Sequence, residues 1–335
     1  MVSANKLAER VGRRVDKGSR LPLKIPAHFP HFPHFRRSIQ GISSMRVAGF
    51  TFIRNALQYD YPIVEAITSI LPICDYFLVA VGQSDDRTLE LVRSIGDPKI
   101  HILETVWDDR LRAGGRVLAL ETNKAFDAVP PDYDWCFYIQ GDECVPESEL
   151  PAIRAGMALY LRDPRTEGLL LKYRHFYGSY DFVGASRRWY RREVRIVRND
   201  KCIRSYRDAQ GFRKMDGAKL RVRLLDAYIH HYGWVKNPAA QQQKQLNFSR
   251  LWHTDAKVQT LSGPAATYQY QDAEPLERFG GQHPTVMQPR VVAINWQFAG
   301  DPAQARWSWK DRFSNWIEKH FGWRPFEYRN YVLLK

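Results

Sequence analysis

The segment DWCFYIQGDECVPE, residues 134–147, ends an apolar run in Gly141, Asp142 and Glu143. Carboxylates are hard oxygen ligands suited to Mg2+ or Mn2+, ions that keep part of their water shell and bind substrate phosphates through the rest. Neighbouring side chains diverge, so one of the two acids faces such an ion while the other supports the turn or shares the ion. A further ligand lies far along the chain in YIHHYGW (228–234), where strand alternation sends His230 and His231 to opposite faces. One of them enters the core and the other can meet the acids. The candidate metal set is Asp142, Glu143 and His231.

Two more loops carry polar residues at the ends of apolar runs. Ile53, Arg54 and Asn55 close the first run, and VGQSDDRT (81–88) leads from the second into a helical pattern. Ser84, Asp85 and Asp86 suit the cap of a helix that starts near Arg87, since their oxygens accept from its free N–H groups. At the carboxyl edge of a sheet the same loop can hold a nucleotide. A later region sets Asp181, Glu193, Asp208 and Asp216 among Arg187, Arg188, Arg191, Arg192, Arg195 and Arg198. Arginines beside a diphosphate neutralise charge on a leaving group, and most of this set belongs to a solvated basic loop. In WYRREVRIV, Glu193 and Arg195 share a strand face and are expected to pair.

The elements that must position these residues follow from hydrophobic periodicity. RVAGFTFIRN, DYFLVAV, KIHILETV and DWCFYIQ read as strands, and PIVEAITSIL, DRTLELVRSI and RVLALETNKAFDAV as helices between them. Strands alternating with helices of about ten residues predict an α/β fold, a mostly parallel sheet with helices on both faces. A helix over about 147–162 follows. Strands are then expected in EGLLLKYRHFYGSYDF, WYRREVRIVRN and KLRVRLLDAYIHHYGW, and a helix in AAQQQKQLNFSRLWH. Near the C-terminus RWSWKDRFSNWIEKHFG places Trp309, Phe313, Trp316, Ile317 and Phe321 on one helical face, with Gly322 as its stop. The expected organisation is a basic tail (1–44), an α/β domain (45–253) and an irregular and helical extension packing on it (254–335).

The chain has 335 residues and a net charge of +14. Residues 1–40 hold nine Lys or Arg against two acids, so half of that excess sits in the tail, which favours anionic partners or serves as a solubilising segment. The tail ends in HFPHFPHF, an extended pattern whose regular prolines block a helix. Cys74, Cys136, Cys144 and Cys202 form no CxxC pair, as expected of free thiols in a reducing compartment. No run of about 18 apolar residues suggests a membrane span, and no apolar stretch behind the basic N-terminus suggests a signal peptide. A cytoplasmic protein is expected. The aromatic C-terminal helix either docks on the domain or lies at a membrane face.

The ordered pieces resemble family 2 glycosyltransferases of the GT-A fold, and within them bacterial enzymes of lipopolysaccharide core or capsule assembly. The first strand with its polar turn, the Ser-Asp loop before a helix, DW with an apolar strand and acidic turn, RIVRNDKCIRSYRDAQGF, and IHHYGWVKNPAAQQQKQ carry the likeness over about residues 45–250. The resemblance implies a nucleotide-sugar donor contacted by Asn55, Ser84, Asp85, Asp86, Asp142 and Arg195. It also implies a Mg2+ or Mn2+ ion on Asp142 with a later histidine near the diphosphate, and Asp208 as the base of an inverting transfer to a saccharide or lipid-linked acceptor. Lys244 matches a helix lysine without an assigned role. The chain departs from the family at Gln140, where an acid is usual, at Val81 or Gly82, and at Ala56. Those departures leave a metal-independent site open, and a non-catalytic binding protein of the same fold is the alternative. A nucleic-acid binder is not expected, since no recognition module is present. A sugar nucleotidyltransferase would need a Gly-rich phosphate loop near the first strand.

Overall fold

The structure is a computed structural model that describes residues 45–108, 110–111, 113–252, 267–270, 275–298, 307, 309–322, 324 and 327–335. The basic tail and its HFPHFPHF repeat lie outside the described residues.

The first half alternates as its periodicity predicts. Strands β1 (Val47–Ile53), β2 (Tyr76–Gly82), β3 (Ile100–Thr105) and β4 (Trp135–Tyr138) are separated by helices α1 (Ile63–Ile70), α2 (Thr88–Arg93) and α3 (Arg116–Asp127). All four strands run parallel, in the order β3-β2-β1-β4. Side chains of β1 and β2 alternate between two cores. Val47, Ile53, Phe77, Val79 and Val81 pack with α1 and with α4 (Leu150–Tyr160) on one face. Ala48, Phe50, Leu78 and Ala80 pack with α3 on the other. Each large apolar side chain removed from water in this way contributes roughly 1.5–3 kcal/mol before entropy is subtracted.

The second half extends the sheet with mixed polarity. It supplies β5 (Glu143–Cys144), β6 (Gly168–Tyr177), β7 (Phe182–Gly184), β8 (Arg192–Arg198) and the long β11 (Leu220–Trp234). Strand β8 lies antiparallel between β4 and β6, and β11 runs parallel to β6 while pairing antiparallel with β5. A separate hairpin of β9 (Ile203–Tyr206) and β10 (Gly211–Lys214) stands beside the sheet. Helix α5 (Pro238–Trp252) follows β11, and the short helix α6 (Gln288–Val292) comes later. Two short strands from the C-terminal region, β12 (Leu276–Arg278) and β13 (Tyr331–Leu333), join the same sheet through β7 and β11. The last helix is α7 (Trp309–Phe321), stopped by Gly322 at φ 63° with its N–H on the Glu318 carbonyl. It is tied down by Arg191 and Arg324 on Glu318, while Trp309, Phe313, Trp316 and Phe321 stay exposed. Among the described residues no helix is long and apolar enough to cross a membrane.

The expected pair of Glu193 with Arg195 does not form. Arg195 turns to Glu143, and Glu193 is left buried with no partner on Oε2 among the described residues. Burial, with help from the nearby Glu143 and Asp208 charges, raises the Glu193 carboxyl to about 8 against the pull of Arg195. A raised folded-state value means that this group's stabilising contribution is present in acid and is lost as pH rises through about 8. Glu193→Gln, which cannot ionise, should therefore gain on the wild type as pH rises, by several degrees of melting temperature at about pH 8.5 and little at about pH 5. Melting curves across that range check this, and a difference that stays flat with pH would place the ionisation elsewhere.

Candidate active site

The carboxyl ends of β1, β2 and β4 open into a cleft of about 650 Å3 whose wall includes Asn55, Asp85, Gln140, Asp142, Asp208, His231 and Lys244. The first two loops are fastened to each other. Asn55 sits at φ 53°, a conformation that asparagine tolerates better than most residues. Its side chain exchanges two hydrogen bonds with Asp85, donating to Oδ2 (3.0 Å) and accepting from the Asp85 N–H (2.8 Å). Ser84 Oγ accepts from the Asn55 N–H (3.0 Å), and Asp86 accepts from the N–H groups of Gln58 and Thr88. Asp86 therefore caps α2, as its position predicts. Of the four candidate donor contacts in these loops, Asn55 and Asp85 line the cleft, whereas Ser84 and Asp86 brace the scaffold beneath it. The wall continues in Trp107, whose indole occupies the space above Gly82. A Cβ at Gly82 would meet the indole nitrogen at 2.4 Å, so only glycine fits there.

The two adjacent acids part company. Glu143 is fully buried and points away from the cleft. Its oxygens accept from Arg195 at 3.0 and 2.8 Å, from the Tyr173 hydroxyl at 2.8 Å and from the Gln140 N–H at 3.1 Å. The expectation that Glu143 shares an ion with Asp142 is thereby corrected, because its lone pairs are already committed. Arg195, expected on the donor, reaches the cleft wall but commits its charge to Glu143. Asp142 faces the cleft. Lys244 Nζ lies 2.9 Å from its Oδ2 and also donates to the Gly233 carbonyl at 2.9 Å. Burial alone would raise the Asp142 carboxyl, yet the Lys244 ammonium outweighs it and holds the carboxyl well below the usual range. Gly233 makes room for this contact, since a Cβ there would strike Asp142 Oδ2 at 2.8 Å and the His231 ring at 2.7 Å.

The histidine pair separates as strand alternation predicts. His230 is buried among Phe176, Tyr232 and Phe279, and His231 reaches the cleft with Nε2 3.7 Å from Asp142 Oδ1. Behind His231 lies His175, whose Nε2 is 2.7 Å from the Tyr190 carbonyl and whose Nδ1 is 3.0 Å from His231 Nδ1. A carbonyl only accepts, so His175 Nε2 carries a proton and, with burial holding both rings neutral, His175 Nδ1 accepts from His231 Nδ1–H. That assignment leaves the His231 Nε2 lone pair turned toward Asp142. His175 has no sequence signal of its own and emerges only from the β6–β11 register.

Asp208 stands across the cleft at the tip of the β9–β10 hairpin. Its neighbours Arg207 and Ala209 both hold left-handed backbone, at φ 55° and 63°. Non-glycine residues on both sides of one acid are costly, about 1–3 kcal/mol each, and the hairpin keeps them to present that acid. Burial raises the Asp208 carboxyl above its ordinary value, only partly offset by Arg207 and Arg195. Gln140 Nε2 donates to the Ala209 carbonyl (3.2 Å) and so joins the acidic turn to this hairpin. Lys236, which sequence reasoning missed, is fully buried nearby. Burial, then repulsion from Lys244, lowers its ammonium to about 7. Tyr61 lies between the two lysines, its ring centroid 5.1 Å from Lys236 Nζ and 4.9 Å from Lys244 Nζ.

These donors do not fit the divalent ion that the resemblance implies. One carboxylate and one neutral imidazole face the same space, and the carboxylate is already neutralised by an ammonium. Among the described residues no three His, Cys, Asp or Glu side chains converge.

No protein-family model and no curated protein matches the chain. Solved structures resemble it at low identity. TarS from S. aureus is 14% identical over 61% of this chain and 39% of its own, with a TM-score of 0.36. Glucosyl-3-phosphoglycerate synthase from Mycobacterium tuberculosis, in complex with Mn2+, uridine diphosphate and phosphoglyceric acid, is 16% identical over 40% of this chain and 44% of its own, with a TM-score of 0.27. The 4-diphosphocytidyl-2C-methyl-D-erythritol synthase of Anaerococcus prevotii is 11% identical over 46% of this chain and 72% of its own, at 0.30. The chain thus spans about two fifths of TarS, and likenesses of this depth assign no activity.

Removing one member of the buried Glu143–Arg195 pair strands a charge. Arg195→Met should cost about 3–5 kcal/mol, and Glu143→Gln with Arg195→Met should recover a good part of it. Chemical denaturation of the two variants checks this, and a single variant as stable as the double one would deny the pair its structural role.

Proposed function

We propose that the chain is a nucleotide-sugar-dependent glycosyltransferase of the GT-A type that transfers with inversion to a saccharide or lipid-linked acceptor. The observation that carries this reading is the cleft's polarity. The Lys244 ammonium lies at one side, with Lys236 buried behind it near Tyr61, and a half-buried carboxylate, Asp208, flanked by two left-handed residues, lies at the other. The cationic side suits the diphosphate of a donor, and Asn55 with Asp85 offers an amide and a carboxylate to its nucleoside. Asp208 takes the proton of the acceptor hydroxyl as that oxygen bonds to the anomeric carbon. The bond from that carbon to the diphosphate oxygen breaks, and its electron pair leaves with the nucleoside diphosphate. Raising the Asp208 pKa strengthens it as a base.

Asp208→Asn should lower turnover by about 10²–10⁴-fold while donor binding, read by calorimetry with UDP-, GDP-, CMP- and dTDP-sugars, stays within a few-fold of wild type. In the wild type, turnover should fall as pH drops through the raised Asp208 value, and the variant should lack that acid limb. Near-normal turnover of Asp208→Asn removes it as the base. Donor binding without transfer to any acceptor would favour the non-catalytic alternative.

The proposed lipid-linked acceptor places membrane contact on the exposed aromatic face of α7. The full chain should float with anionic vesicles, and Trp309→Ser with Trp316→Ser should reduce flotation several-fold. Failure of the wild type to float sends the reading to a soluble saccharide acceptor.

A further inference from the structure

The cation nearest the acidic turn is a side chain. Lys244 reaches Asp142 from α5, across 102 residues of sequence, at a contact buried from solvent. Its ammonium has three N–H groups, of which two are committed to Asp142 Oδ2 and the Gly233 carbonyl. The third is available in a cleft that Lys244 itself lines. The two contacts set the position of the ammonium, since Asp142 belongs to the turn after β4 and Gly233 to β11. Burial opposes the Lys244 charge, but Asp142 overrides it and keeps the ammonium protonated.

The acids that a metal would need are missing or diverted. Gln140 stands where a second carboxylate would complete the turn, and its amide is spent on the Ala209 carbonyl. Glu143 is saturated by Arg195, Tyr173 and the Gln140 N–H. Of the turn's acids Asp142 alone remains, and an ion bound to its free oxygen would sit within a few ångströms of the ammonium on the other. Like charges at that spacing in a buried site repel strongly. The same cluster attracts a nucleoside diphosphate.

We propose that Lys244 is the cation this site offers to the donor diphosphate in place of a divalent metal ion, with Asp142 as the carboxylate that anchors the ammonium. The inference rests on the proposed function and deepens it. As the bond between the anomeric carbon and the diphosphate oxygen breaks, the charge gathering on the phosphates meets the Lys244 N–H. The proton lost by the acceptor goes to Asp208, so Lys244 stays protonated throughout. Asp142 holds Lys244 and touches no phosphate.

Calorimetry with UDP, GDP, CDP and dTDP, in chelator and again in Mn2+, tests this on the full chain. One diphosphate should bind in chelator, and Mn2+ should change its affinity by less than about threefold. The electron paramagnetic resonance signal of Mn2+ with diphosphate should be unchanged when the protein is added. Lys244→Met should weaken binding by more than about tenfold, and Lys244→Arg should restore most of it. Where Lys244→Met fails to fold, Asp142→Asn with Lys244→Met removes both buried charges and should show the same loss. Binding that appears only with Mn2+, or that Lys244→Met leaves intact or strengthens, overturns the role of Lys244 and leaves the transferase standing. No binding of any diphosphate under either condition overturns both.

Discussion

The buried pair of Glu143 and Arg195 is the constraint on which the site depends. The carboxylate receives Nε and Nη2 of the Arg195 guanidinium, the Tyr173 hydroxyl and the Gln140 N–H. Those partners come from β8, from β6 and from the turn itself, while Glu143 is also paired in register with His231 on β11. One residue thus ties the turn after β4 to three strands of the second half, to β8 and β6 through its side chain and to β11 through its backbone. A charge pair with exposures of 1% and 0% does not gain much over a well-packed apolar pair. What it supplies is orientation. With Glu143 drawn inward, the adjacent Asp142 turns to the cleft.

The rest of the electrostatics follows from this division. Asp142, the acid left outside, is neutralised by Lys244, and the second lysine is held next to the first behind Tyr61. Two ammonium groups kept close in a poorly solvated site make an unfavourable arrangement, visible in the lowered Lys236 value of about 7. In the proposed function this cluster receives the donor diphosphate. The opposite wall keeps a carboxylate in the reverse condition, with Asp208 short of positive partners and its proton held more tightly than in water. The two walls therefore differ in what they ask of a ligand, negative charge at one and an ionisable hydroxyl at the other.

The parallel half was legible in the sequence because its signals are local. VAGFTFI and YFLVAVG are short apolar runs bounded by polar turns, and IVEAITSI repeats its apolar residues at helical spacing, so period and length settle the element. Asp86 as a helix cap and His230 and His231 on opposite faces follow from equally local rules. Pairing across the chain did not. Glu193 and Arg195 share a strand two residues apart, which made them look like partners, but the guanidinium found Glu143, 52 residues away. No local pattern around Arg195 encodes that choice, which depends on β8 lying between β4 and β6. His175 was silent for the same reason, since its role comes from the register of β6 on β11.

Lys244 shows how such a silence can conceal the chemistry. In AAQQQKQLNFSRLW it reads as one polar residue on a polar helix, matching a helix lysine of the resembled family without an assigned role. Its burial follows from Gly233, which lacks the Cβ that would close the space over Asp142. The relation between Gly233, Asp142 and Lys244 is steric first and electrostatic second. Glycine opens the gap, the carboxylate lines it, and an ammonium is the group of the right charge that α5 can deliver. A substitution at any one of the three alters the other two, so these three residues are built as a unit.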